Sequence, residues 1–174
     1  MKNENKKLRD ELQGNLTKEK IEKLAELLKV YDLAKLGRDV QEAEFKEIDD
    51  NVLGENEFFA VHEYTRSGGE TIRKGDRITD STFDFLLSED DFHRLYDLCR
   101  PHHVAQGLTD ENDRYVTDWM TIWIDAERAL VDFIIDEIIP ESLRNDFETA
   151  RRNVVYHDKL IGIARGMFKD KEAA

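Results

Sequence analysis

Apolar side chains recur every three or four positions along most of this chain, a spacing that predicts helices. Ile21, Leu24, Leu28 and Tyr31 share one face behind Thr17, a capping residue, and Gly37 stands where such a helix would stop. A shorter helix is expected after Asp39, carrying Val40, Phe45 and Ile48 as far as Gly54. The pattern then changes. The run from Glu57 to Thr65 reads as a strand, Ser67-Gly68-Gly69-Glu70 as a tight turn, and Thr71-Ile72-Arg73 and Arg77-Ile78-Thr79 as short partners, so that residues 57–79 make a small antiparallel hairpin. Ser88, with Asp91 three positions on, opens a helix whose Phe92, Leu95, Tyr96 and Cys99 face the core until Pro101 ends it, leaving His102 and His103 in a loop.

Two long helices are predicted in the last third, over about 111–139 and 141–169, separated by Pro140 and folded as a helical hairpin. With Val116 at zero and about 100° per residue, Trp119, Met120, Trp123, Ala126, Leu130, Phe133 and Ile134 fill one arc of the first. Glu111, Asp118, Asp125, Asp132 and Asp136 fall nearly opposite, a spacing that aligns them as an acidic ridge. The second carries Leu143, Phe147, Ala150, Val154, His157, Ile161, Ala164 and Phe168 as a heptad-like seam. Glu127 and His157 are polar intruders in these apolar stripes. A buried polar group needs a partner, so Glu127 is expected to pair with His157 or Arg151. The fold class that follows is mainly α with a small antiparallel β-hairpin (α+β) and a C-terminal helical hairpin or bundle. Residues 1–16 read as a flexible or frayed helical lead-in and 17–174 as a single α-rich domain.

Composition agrees with a folded globular protein: 40% hydrophobic and 37% charged residues, with only two prolines. No apolar run approaches the roughly 18 residues of a membrane span, and the start of the chain lacks a signal-peptide core, so a cytoplasmic location is expected. Cys99 is the only cysteine, which excludes an internal disulfide and a cysteine-rich zinc module. Charge narrows the choice further. Of the formal −13, residues Asp80 to Glu137 supply −11, from 15 acidic and 4 basic side chains. A field of that sign repels nucleic-acid backbones and anionic membranes and attracts basic protein surfaces. No direct DNA binding is expected.

Arg152-Asn153-Val154-Val155-Tyr156-His157 has the spacing Arg-Asn-x3-His and resembles the active motif of the HEPN ribonucleases. The resemblance implies a helical bundle, often dimeric, that cleaves RNA without metal, with Arg152 on the phosphate and His157 in acid–base chemistry. Two features depart from it: Val131 stands where a basic residue would follow Glu127, and on one unbroken helix Arg152 and His157 point about 140° apart. His93, Cys99, His102 and His103, with Asp90 or Asp91, offer metal-ligand types, but their spacing matches no zinc pattern, so neither a metal nor another cofactor is implied.

Three functions remain. The leading one is a non-enzymatic regulatory or inhibitory protein whose ridge of Glu111, Asp118, Asp125, Asp132 and Asp136 binds a basic partner, such as a nucleic-acid-binding protein whose site it occludes. The alternatives are a HEPN-like ribonuclease using Arg152 and His157, and a structural subunit or homo-oligomer joined through leftover apolar surface.

Overall fold

The computed structural model describes Asp10 and residues 14–172, without the side chains of 150, 155 and 169–172. The expected lead-in lies mostly outside the described residues. Among the described residues the chain is mainly helical with one two-stranded antiparallel hairpin: α1 (Lys18–Glu55), β1 (Tyr64–Thr65), β2 (Thr71–Ile72), α2 (Glu89–Ala105), α3 (Trp119–Phe133), α4 (Arg144–Arg152) and α5 (Val154–Glu172). Short 3-10 turns occupy Ser81–Leu86 and Glu141–Leu143, and a π-helical turn, Ile134–Ile138, continues α3. Among the described residues no helix is long and apolar enough to cross a membrane.

The chain packs as two compact units, one from residues 1–37 and 119–174 and the other from Arg38–Asp118. In the first, Thr17 caps α1 by accepting from the Lys20 amide at 3.2 Å, and Leu24, Leu28 and Tyr31 are buried. They join Leu130, Ile135 and Ile138 of the α3 arm and Leu160, Ile161 and Ala164 of α5 in one core. Gly37 does not end its helix, contrary to expectation. A Cβ there would sit 2.3 Å from the Trp119 ring, so the glycine serves close approach rather than termination.

Two more boundaries differ from the sequence reading. The helix expected from Glu111 starts only at Trp119. Asp110 Oδ1 accepts from the amides of Asn112 and Arg114, Asp113 takes a positive φ of 63°, and Thr109 bridges Tyr115, so local turn chemistry replaces the first helical turns. The last long helix is two, divided at Asn153, and Val154 of the expected seam is exposed.

In the second unit, Val52, Leu53, Phe58, Ile78, Leu86, Leu95 and Cys99 form a separate core. The hairpin ladder pairs Tyr64 with Ile72 and Thr65 with Thr71, and an isolated bridge joins Phe59 to Arg77 further along the same ribbon. Gly69 turns it at φ 91°. Ser88 caps α2 as its sequence suggests, accepting from the Asp91 amide at 3.2 Å. Pro101 lies inside α2 instead of ending it, so His102 and His103 are helical. An interior proline costs roughly 3 kcal/mol, an expense set against the burial of Cys99 and His103 on the inner face of the same helix.

Candidate functional site

The five carboxylates of the expected ridge do not share a helix. Glu111 and Asp118 belong to the irregular segment before α3, and Asp125 is exposed on α3 itself. Asp132 and Asp136 are neutralised from within the protein. Arg151 places Nη1 at 3.0 Å from Asp132 Oδ1 and bonds both oxygens of Asp136, while its Nε reaches Glu148 at 3.1 Å. The Arg151 hydrogen bonds hold the Asp136 carboxyl below its usual range, and in return they push the guanidinium up.

Beside this cluster, Glu127 and His157 meet. Glu127 is 6% exposed, and its Oε1 lies 2.6 Å from His157 Nδ1. The other ring nitrogen, Nε2, donates to the Arg151 carbonyl at 3.1 Å and so satisfies one of the orphan carbonyls that end α4. Both ring nitrogens therefore face oxygen acceptors inside the fold. Arg152, the last residue of α4, is exposed. The break at Asn153 removes the straight-helix geometry that separates Arg152 from His157, but no ring nitrogen of His157 is left for a substrate.

Of the candidate metal ligands, His93, His102 and Asp90 are exposed, and Asp91 lies at the start of α2 near Arg94. Only Cys99 and His103 come together, four residues apart on the buried face of α2. They meet Asp49 of α1, a residue that sequence reasoning missed. His103 Nε2 stands 2.7 Å from Asp49 Oδ1, and the three donor atoms lie within 4.8 Å of one another. Burial, and then the adjacent Asp49 carboxylate, push the Cys99 thiol up, so it stays protonated. The signal was a Cys-x3-His spacing on a helix, hidden by the assumption that Pro101 ended it.

Asp49 and His103 open on a cavity of about 530 Å³ within the second unit. Its wall carries the carboxylates of Glu42, Asp49, Asp84 and Asp113 beside Lys46, with Arg38 at 3.6 Å from Glu42 and Arg100 at 3.4 Å from Asp113. Phe45, Tyr96 and Tyr115 supply aromatic faces, with Phe45 edge-on to both His103 and Tyr115. Lys46 is already bound, at 2.9 Å to Asp50 and 2.6 Å to Asp80. It holds the Asp80 carboxyl at about 2, helped by the Thr82 amide. The Tyr96 phenol donates to Asp84 at 3.0 Å, and burial followed by that carboxylate's charge pushes its pKa up.

No protein-family model, curated protein or solved structure matches this chain. Charge and cavity are what remain to point to function. Residues 38–118 hold 21 acidic and 9 basic side chains, a formal −12, whereas the other unit holds 18 and 17, a formal −1.

Proposed function

We propose that this protein is a non-enzymatic interaction protein that binds a basic surface of a protein partner through the acidic unit of residues 38–118. The observation that carries the reading is the concentration of nearly all the net charge in that unit, around a cavity walled by carboxylates and aromatic rings. Such a wall suits an inserted lysine or arginine, because the carboxylates attract the cation and ring faces pack on its stem and head group. Glu111 and Asp118 belong to the same unit, on the segment before α3, whereas Asp125, exposed on α3, belongs to the other. Asp132 and Asp136 contribute less, since they belong to the near-neutral unit, where Arg151 answers both. A nucleic-acid-binding protein is a partner of suitable chemistry, because its basic face matches this field and would be occluded by it.

Affinity capture by the full-length protein tests the proposal. Proteins retained at low salt should carry basic surfaces and be released at high salt. Capture should fall several-fold with Glu42→Gln/Glu111→Gln/Asp118→Asn and change little with Asp132→Asn/Asp136→Asn. Equal capture by the triple variant removes the acidic unit from the account. The ribonuclease reading needs His157 to exchange a proton with substrate, and both its nitrogens are committed internally. RNA cleavage in EDTA that disappears in His157→Ala would reinstate it.

A further inference from the structure

We infer that Asp49, Cys99 and His103 form a binding site for a divalent transition-metal cation, with Zn²⁺ the best match. The three residues bring one carboxylate, one sulfur and one imidazole to within 4.8 Å of one another, in a place where all three side chains are buried. A four-coordinate zinc with bonds of about 2.0–2.3 Å sets its ligand atoms on the order of 3.5 Å apart. Small side-chain adjustments reach that spacing: Asp49 and His103, now 2.7 Å apart, open slightly, and the sulfur closes in.

The placement is as favourable as the chemistry. Cys99 and His103 sit one turn apart on α2, so a single helix face presents both, and Asp49 approaches from α1. On binding, the Cys99 thiol gives its proton to solvent, and His103 offers Nε2 with its proton on Nδ1. Aspartate and thiolate then carry two negative charges, which the cation cancels inside a buried setting. Three protein ligands leave a fourth position, and two of the three residues line the cavity, from which water or another donor can supply it.

A second observation points the same way. Thr109 lines the same cavity and is 6% exposed, yet its Oγ1 has no hydrogen-bond partner among the described residues. Buried hydroxyls are normally satisfied. A metal-bound water on the cavity side would give this one a partner, and the carboxylates of Glu42, Asp84 and Asp113 would draw a cation toward the opening. The thiolate and imidazole select against Mg²⁺ and Ca²⁺, which prefer oxygen ligands.

Titration of the full-length, reduced, metal-free protein with Zn²⁺ against a chromophoric chelator should show uptake of one ion per chain. Cys99→Ser and His103→Gln should each weaken it by about 10–100-fold or more, while His62→Gln and His93→Gln, at exposed positions, should leave it unchanged. Should either variant fail to fold, the wild type alone still decides. Co²⁺ added to it must produce a thiolate-to-cobalt charge-transfer band, because Cys99 is the only thiol. Absence of uptake, uptake without that band, or full affinity in a folded Cys99→Ser variant each overturns the site.

Discussion

Glu127 and His157 form a buried polar pair with a direct energetic consequence. Removing one member leaves the other buried without its partner, whereas replacing both by apolar groups spares that penalty. Glu127→Ala should therefore cost roughly 2–4 kcal/mol of unfolding free energy in denaturant titrations, and Glu127→Leu/His157→Leu clearly less. A Glu127→Ala protein as stable as wild type would falsify the buried pair. Asp80 gives a pH prediction. Its carboxyl is depressed from 3.8 to about 2 by Lys46 and the Thr82 amide, so its contribution is complete above the unfolded value and lost as pH falls through the folded one. The melting temperatures of wild type and Asp80→Asn should differ by a constant amount from pH 7 down to roughly pH 4, then converge toward pH 2. A gap that persists at pH 2 contradicts the Lys46 assignment. At this scale the sequence was informative wherever a polar residue interrupted an apolar stripe, which is how Glu127 and His157 stood out. Asp49 was not legible, because it sits among many acids and only tertiary folding brings it to α2.

Helix boundaries show where local rules were overridden by contacts made far along the chain. Gly37 carries the ordinary signature of a C-terminal cap, but Trp119, 82 positions away in sequence, packs where its side chain would be. Alanine would gain about 1 kcal/mol of helix propensity, yet a Cβ 2.3 Å from the ring forces the indole to move. Gly37→Ala should thus lower the thermal midpoint, and Gly37→Ala/Trp119→Leu should recover part of the loss, which calorimetry can measure. A Gly37→Ala protein with a raised midpoint contradicts the close packing. Pro101 misled in the same direction: a residue that normally breaks a helix is accommodated inside α2, and with it the relation between Cys99 and His103 was lost to sequence reasoning. The caps at Thr17 and Ser88 were readable because each depends on a side chain and amides within three positions. Asp110 works by equally local chemistry, but its turn was masked by the apparent wheel of the helix that follows.

For the whole molecule, the distribution of charge matters more than its total. The five carboxylates drawn along one helix divide between the units, Glu111 and Asp118 in the acidic one and Asp125, Asp132 and Asp136 in the one close to neutral. The arginine that neutralises Asp132 and Asp136 comes from α4, beyond the reach of an argument confined to one helical wheel. Association driven by the acidic unit is fast at low ionic strength and falls steeply as salt screens the field over about 10 Å at 0.1 M. The most direct test is the affinity of a captured partner for wild type and for Glu42→Gln/Glu111→Gln/Asp118→Asn, measured across a range of salt. The account predicts a steep loss of wild-type affinity with rising salt and a markedly shallower dependence for the variant; identical salt dependence in the two proteins would contradict it.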